Sequence, residues 1–367
     1  MKIKAAVARA PHTPFEIEAL DLEEPREGEI LVRVVATGVC HSDIAMRDGA
    51  LPAPRPAVLG HEGAGIVERV GRGVAKVAPG DHVLMTYNSC GTCLACLNHE
   101  FTYCYDFAPR NFGGLRPDGS SPLSSGGAVV HGNIFGQSSF ATHAICHEVN
   151  TVKVSDDLPL ELLGPLACGV QTGAGAVINA LRVGAGDSLA VFGAGSVGMS
   201  AIMAARVVGA TTIIAVDLLD ERLAVARDLG ATHTINSRSS GAVAEIKALT
   251  GAGVTFALDT TANVNVIRTA VDALAPRGAC GIVGASPFGA EMTLDVVSFM
   301  SEGRTLRGIV EGDSNPNVFI PALIELYRQG RFPFDRMVKF YDFEQINDAV
   351  HDSEHGHCIK PVVRMPA

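Results

Sequence analysis

The segment Val191-Phe192-Gly193-Ala194-Gly195-Ser196-Val197-Gly198 sets G-x-G-x-x-G between an apolar strand and an apolar helix. In a chain with 40 glycines the pattern alone says little, but in this setting it dictates a local fold. Gly193 permits a tight turn, Gly195 lets a pyrophosphate approach the backbone, and Gly198 allows close strand–helix packing. The phosphate then rests at the positive end of the helix that Ser196 and Val197 begin. Nineteen residues past Gly198, the strand TTIIAVD ends in Asp217. A carboxylate there accepts hydrogen bonds from an adenosine ribose and repels a 2′-phosphate, so NAD is expected over NADP. Arg222, in the following helix, works against that preference. The plain alternative for Asp217 is a surface aspartate at a strand end.

The surroundings repeat the theme. From about residue 158, the short apolar runs DSLAVFGAG, TTIIAVD, HTINS, TFALDTT and ACGIVGAS alternate with helical stretches such as VGMSAIMAARVVGA and ERLAVARDLGA. Strands alternating with helices imply right-handed βαβ units and a doubly wound parallel sheet, an α/β fold. The first 154 residues read differently: IKAAVA, EILVRVVATG, GAGIVERVG and DHVLM are punctuated by Gly, Pro and Asp, as a mainly β domain requires. After about Val310 the alternation is lost, and the terminal strand CIKPVVRM is placed to rejoin the first domain. A length of 367 residues accommodates two domains.

Nine cysteines in a chain whose N-terminus lacks the apolar core of an export signal point to metal binding or catalysis rather than a disulfide framework. Cys90, Cys93, Cys96 and Cys104 form C-x2-C-x2-C-x7-C, and four thiolates so close suit one tetrahedral Zn²⁺ in a lobe over about residues 88–106. An iron–sulfur cluster or a redox C-x-x-C are the rival readings; the missing proline after the last cysteine and the long final gap favour zinc. A closed set of four thiolates leaves no open position for chemistry.

Gly38–Gly65 holds another pair of zinc-ligating side chains, Cys40 and His61, each with a carboxylate close by, Asp43 and Glu62. Two donors so far apart suggest an open site completed by a third ligand elsewhere; the bland alternative is a buried cysteine and an unrelated histidine in two loops.

Net charge and hydropathy exclude several classes. Hydrophobic residues make up 47% and charged residues 19%, so the chain can bury large cores. With a net charge of −10 and no lysine- or arginine-rich run, no nucleic-acid or anionic-membrane partner is expected. The uncharged run Ser188–Ala205 has the length of a membrane span, yet its three glycines and the flanking Asp187 and Arg206 favour strand, turn and helix.

Together the ordered motifs GVCHSD, GHEGAG, the four-cysteine lobe, GPLACGVQTG, GAGSVG and AVD resemble the zinc-dependent medium-chain alcohol dehydrogenases over essentially the whole length. Within that family the chain looks most like the NAD-dependent aryl-alcohol (benzyl-alcohol) dehydrogenases. The resemblance implies a GroES-like catalytic domain over 1–168 and 311–367 and a Rossmann NAD-binding domain over 169–310. It also implies NAD and two Zn²⁺ per chain, one structural and one catalytic, the latter held by Cys40, His61 and Cys168; Cys2His is the donor set known for catalytic zinc in alcohol dehydrogenases. Asp43 resembles the carboxylate that orients the ligating histidine, Glu62 the one behind the metal, and Ser42 the hydroxyl that bonds the substrate oxygen. His41 and Lys360 match cationic positions near the pyrophosphate, Thr172, Val283 and Ile309 match contacts to the nicotinamide, and Tyr87, Ile134 and Phe135 match the substrate cleft. A cytoplasmic homo-oligomer, tetramer before dimer, acting on a small alcohol or aldehyde is the corresponding expectation.

One position departs from the pattern. Many family members carry a histidine five residues after the first zinc cysteine, where this chain has Ala45, so the proton needs another route. Rival substrates are an allylic terpene alcohol such as geraniol, a short aliphatic alcohol and a glutathione adduct; a non-catalytic dinucleotide-binding relative is the rival from another class. Cys146, Cys280 and Cys358 read as small buried residues.

Overall fold

The computed structural model describes residues 1–239 and 241–366. They divide into two compact units, Met1–Cys168 with Asn315–Pro321 and Asp335–Ala367, and Gly169–Ser314 with Ala322–Phe334. The chain therefore returns to the first unit in two pieces, rather than once near residue 311.

The first unit is built on β-strands. β1 (Lys2–Ala8), β2 (Glu16–Leu22), β3 (Glu29–Gly38), α1 (His41–Asp48), β4 (Ala57–Val58), β5 (Gly63–Val70) and β6 (His82–Met85) lead to two short helices, α2 (Leu94–Leu97) and α3 (Phe107–Phe112). Then come β7 (Leu123–Ser125), β8 (Ala128–Val130), β9 (His143–His147), β10 (Thr151–Val154) and α4 (Leu160–Leu163). One sheet has the order β4-β1-β2-β7-β8. In the other, β3 is central, pairing with β5, β9 and β18, and its apolar run EILVRVVATG is buried along most of its length.

The second unit is the alternating part. α5 (Gly169–Gly175), β11 (Ser188–Phe192), α6 (Ser196–Val208), β12 (Thr212–Asp217), α7 (Asp220–Leu229), β13 (His233–Asn236) and α8 (Ala242–Thr250) form its first half. β14 (Val254–Asp259), α9 (Val264–Asp272), β15 (Leu274–Ile282), α10 (Val296–Ser301) and β16 (Thr305–Gly308) form the second. All pairs in the sheet are parallel, in the order β13-β12-β11-β14-β15-β16, which is the doubly wound dinucleotide order with its switch point between β11 and β14. The run Ser188–Ala205 is thus strand, turn and helix, and no helix among the described residues is long and apolar enough to cross a membrane.

α11 (Pro316–Arg328), β17 (Val338–Asp342), α12 (Ile346–Glu354) and β18 (Lys360–Arg364) complete the chain. β18 pairs with β3, Val362 opposite Gly38, so the last strand reaches the stretch that holds Cys40.

Candidate metal centres and dinucleotide site

Two donor groups stand out among the described residues, both in the first unit. In the lobe, the Sγ atoms of Cys90, Cys93, Cys96 and Cys104 lie within 4.8 Å of one another. Four sulfurs about 2.3 Å from one ion would sit about 3.8 Å apart, and Cys90 Sγ to Cys96 Sγ is 3.8 Å. Backbone N–H groups already turn inward: Cys93 N donates to Cys90 Sγ at 3.2 Å and Cys90 N to Cys104 Sγ at 3.2 Å. Gly91, at φ +73°, supplies the left-handed step this turn needs. The four thiols are pulled apart in acidity. The N–H of Thr92, more than any other contact, lowers Cys90 to about 6, while burial first, and then Cys93, raises Cys96 to about 12. A shared cation would offset the burial that holds Cys96 and Cys104 up and favour all four as thiolates.

The other group is Cys40, His61, Glu62 and Cys168, also within 4.8 Å. Cys40 precedes α1, whose first turn carries Asp43 inward. Asp43 Oδ1 lies 2.9 Å from His61 Nδ1 and accepts the Gly60 N–H at 3.0 Å, while Oδ2 accepts the Cys40 N–H at 3.1 Å. One fully buried carboxylate thus ties together the two loops that carry the donors. With Nδ1 engaged, the buried Nε2 of His61 has no hydrogen-bond partner among the described residues. Cys168 is positioned from the preceding residue, since Thr86 Oγ1 donates to Ala167 O at 2.7 Å. The Cys40 thiol is held well below its ordinary range, chiefly by its hydrogen bond with Cys168 and against the cost of burial. Burial works to lower His61, but Asp43 and Cys40 outweigh it and the ring is raised well above the usual imidazole. The pocket draws in positive charge, and an orphaned imidazole nitrogen between two cysteine sulfurs is where a zinc ion fits.

Glu62 and Lys360 form a closed pair behind this group. Lys360 is 1% exposed, and its Nζ lies 2.8 Å and 2.9 Å from the two Glu62 oxygens. Burial raises Glu62 first, opposed by Lys360; burial lowers Lys360, but Glu62 and Cys40 raise it overall. Gly38 is required here, because a Cβ would stand 1.9 Å from Glu62 Oε2. Lys360, expected beside a pyrophosphate, is within its own unit the partner of Glu62.

Ser42 is half-buried, with Oγ 3.9 Å from Cys40 Sγ, and His41 is exposed. Tyr87, Ile134 and Phe135 are all buried. The Phe135 ring stacks on His61 at 4.4 Å, and Phe112 meets Phe135 edge-on at 5.4 Å. Phe135 holds a left-handed φ of +51°, which a bulky residue keeps only when its surroundings fix it. Asn150 Nδ2 donates to Phe135 O at 3.2 Å, and Ile134 N donates to Ser138 Oγ at 2.9 Å. Gln137 is fully buried: its Nε2 lies 3.0 Å from His61 O and 2.8 Å from Met85 O, and its Oε1 accepts the Gly63 N–H at 3.1 Å. Neither Gln137 nor Phe112 carried a signal in the sequence, one being a lone amide in a loop and the other one of 15 phenylalanines.

In the second unit the glycine-rich turn has the shape a pyrophosphate needs. A Cβ on Gly193, at φ +94°, would meet Thr260 Oγ1 at 2.4 Å, and one on Gly198 would meet Gly193 O at 1.8 Å, whereas one on Gly195 would meet nothing within 4 Å. The crowded positions hold the turn, and the open one leaves room for the ligand. α6 begins at Ser196 with no side-chain cap, so the first N–H groups of that helix, Val197 among them, are available to an anion. Asp217 Oδ2 accepts the Ala194 N–H at 2.6 Å, and Oδ1 accepts those of Leu218 and Leu219 at 2.7 Å and 3.0 Å, fixing the acid beside the turn. Arg222 is half-buried with Nε lacking a partner among the described residues. Val283 and Ile309 follow the C-terminal ends of β15 and β16, and Thr172 lies in α5.

A zinc-binding β unit joined to a dinucleotide unit defines a pyridine-nucleotide oxidoreductase of the medium-chain kind. Family comparison agrees: residues 26–156 match the alcohol dehydrogenase GroES-like domain, and residues 196–328 match the zinc-binding dehydrogenase domain. The chain belongs to the zinc-dependent medium-chain alcohol dehydrogenases, with zinc and NAD as cofactors. A geraniol dehydrogenase from Castellaniella defragrans is 47% identical over 362 residues, covering 98% of this chain and 97% of that one. A benzyl alcohol dehydrogenase from Acinetobacter calcoaceticus is 48% identical with a TM-score of 0.97, covering 100% of both chains. An alcohol dehydrogenase zinc-binding domain protein from Burkholderia ambifaria is 54% identical with a TM-score of 0.98, again over 100% of both.

Proposed function

We propose that this alcohol dehydrogenase oxidises primary alcohols with an aromatic group next to the carbinol carbon, reversibly and with NAD. The observation that carries the aromatic reading is the row of rings leading to the zinc donors: His61, Phe135 and Phe112, with Tyr87 and Phe107 at 5.9 Å alongside. Flat faces and edges of this kind suit a planar substrate better than a short alkyl chain. Likeness to the benzyl alcohol dehydrogenase supports it. An allylic terpene alcohol is the second reading, favoured by the likeness to the geraniol dehydrogenase.

Cys40, His61 and Cys168 would hold a zinc ion, which would supply a Lewis acid to lower the pKa of an alcohol, while NAD would supply the hydride acceptor. Asp43, at His61 Nδ1, fixes the tautomer that leaves Nε2 as the donor. The Ser42 hydroxyl accepts the substrate proton and passes it outward, and Lys360 restrains the carboxylate of Glu62. Cys90, Cys93, Cys96 and Cys104 hold the structural zinc. Gly193, Gly195, Ser196, Val197 and Gly198 receive the pyrophosphate; Asp217 takes the adenosine ribose, with Arg222 nearby. Thr172, Val283 and Ile309 line the nicotinamide end; Tyr87, Ile134 and Phe135 line the substrate end. A GroES-like domain of 1–168 and most of 311–367 and a Rossmann domain built on 169–310 carry these two halves in a cytoplasmic enzyme.

Assembly into a homo-oligomer, tetramer before dimer, is supported by the position of β16 at the end of the strand order and by Val296, Val297 and Met300, which are 69–75% exposed on α10. The deciding experiment compares kcat/KM for benzyl alcohol, geraniol, ethanol and the glutathione adduct, with NAD and with NADP. Benzyl alcohol with NAD is expected to lead; geraniol in first place selects the second reading, and ethanol in first place overturns both.

A further inference from the structure

We propose that Glu311 sets the relative affinity of the two redox states of the cofactor, its carboxylate favouring the cationic nicotinamide of NAD⁺ over the neutral ring of NADH. The proposal rests on the reading that places the nicotinamide on the β14–β16 side of the switch point. In a doubly wound sheet the ligand lies beyond the C-terminal ends of the strands. With Asp217 on β12 at the adenosine end, the other half of the dinucleotide extends toward β15 and β16.

Glu311 follows β16 by three residues and is 8% exposed. It is carried on an unusual turn: Glu311, Gly312 and Asp313 have φ values of +48°, +66° and +48° in succession. Two non-glycine residues in the left-handed region within three positions are strained, and such strain collects where geometry serves a ligand. The turn cannot slide. A Cβ on Gly312 would stand 2.5 Å from Gln171 O, and one on Gly175 would stand 2.3 Å from Gly312 O, so turn and α5 are packed backbone to backbone. The two acids then part company. Asp313 pairs with Arg307, whereas Glu311 Oε2 accepts from Thr172 Oγ1 at 3.2 Å and Gln171 Nε2 at 3.4 Å. A buried carboxylate is thereby fixed on Thr172, the residue assigned to the nicotinamide end. A fixed negative charge there discriminates between a ring bearing +1 and a neutral one.

The test uses the full-length, zinc-loaded enzyme. NADH binding is followed by fluorescence, and NAD⁺ and ADP-ribose binding by calorimetry, for the wild type, Glu311→Gln and Glu311→Asp. Glu311→Gln keeps an acceptor for Thr172 and removes the charge; it is expected to weaken NAD⁺ about tenfold while NADH and ADP-ribose stay within about twofold. Glu311→Asp, which keeps the charge, should lie nearer the wild type in its NAD⁺ to NADH ratio. An unchanged ratio with ADP-ribose also unchanged overturns the proposal and leaves the cofactor placement intact. Loss of ADP-ribose affinity in Glu311→Gln overturns the placement itself, since that ligand has no nicotinamide.

Discussion

The two donor groups of the first unit use similar side chains to opposite ends. The lobe collects four sulfurs from Cys90 to Cys104 and surrounds them with backbone N–H groups, so every position around a central ion is taken by protein. The other group takes Cys40, His61 and Cys168 from loops up to 128 positions apart and would offer a zinc ion three donors of the Cys2His kind. Its surroundings are also different: a carboxylate aligns the imidazole, a buried ion pair stands behind it, and an aromatic ring covers it. A local set of ligands closes a small loop and stabilises it; a dispersed set costs more chain entropy and needs an already folded scaffold to position it. Structure and chemistry have been assigned to separate metals.

Breaking the dispersed set should produce the largest effect. His61→Ala removes the only nitrogen donor, and kcat/KM is expected to fall by about 10³-fold or more, with the lobe's zinc retained. Metal analysis by mass spectrometry together with steady-state kinetics checks this. Loss of both metals in this variant would mean that the two groups are not independent.

Breaking the local set should act on stability. Cys104→Ala is expected to lower Tm by roughly 10 °C, with the dispersed site still binding metal. The lobe also has a pH signature whose sign follows from its thiols. Cys96 and Cys104 are both raised, chiefly by burial, whereas Cys90 and Cys93 are lowered, chiefly by backbone N–H groups. On releasing zinc near neutral pH, the raised pair takes up protons. Affinity should therefore fall with falling pH, by about a hundredfold per unit or more between roughly pH 6 and 8. Below about pH 6, where Cys90 joins, the slope steepens. Chelator competition at several pH values measures it; a slope of one proton would refute the assignment.

A smaller change probes how the dispersed set is aligned. Asp43→Asn keeps the shape but removes the charge that orients His61 and receives the Gly60 and Cys40 N–H groups. Zinc affinity at that site should drop by about 10–100-fold, with the lobe unaffected. Equal loss at both sites would show that Asp43 serves the fold of the unit rather than the metal.

The same contrast explains what the sequence disclosed. The lobe was legible because its spacing is its geometry, and the glycine-rich turn was legible because strand, turn and helix are contiguous. Cys168 entered only through resemblance to a family; nothing in its own neighbourhood marks it as a partner of Cys40. Gln137, Phe112 and the Lys360–Glu62 pair lay beyond reach, since each depends on which distant segment packs against it, as when β18 pairs with β3. Residues 311–314 and 322–334 were expected in the first domain and fall in the second unit, the division lying within α11. Helical periodicity reports a helix, not which core receives it.

The smallest expected effect concerns the position at which this chain departs from many relatives. Ala45 sits on α1 three residues after Ser42, so the two share a helix face, and Ala45 is half-buried against the core. A side chain at 45 that can carry a proton would be the next group after the Ser42 hydroxyl; alanine cannot. On the proposed route through Ser42, the proton would pass next to water or to the cofactor ribose. Ala45→His inserts an imidazole, whose ordinary pKa is about 6.5, one helical turn from Ser42. The pH dependence of kcat is then expected to shift by about one unit or less, with maximal rate within roughly threefold of the wild type. The shift should appear in kcat and not in zinc content, because Ala45 is a member of neither donor group. An unchanged pH–rate profile in a variant that folds and binds both metals would show that the proton never passes along this face of α1.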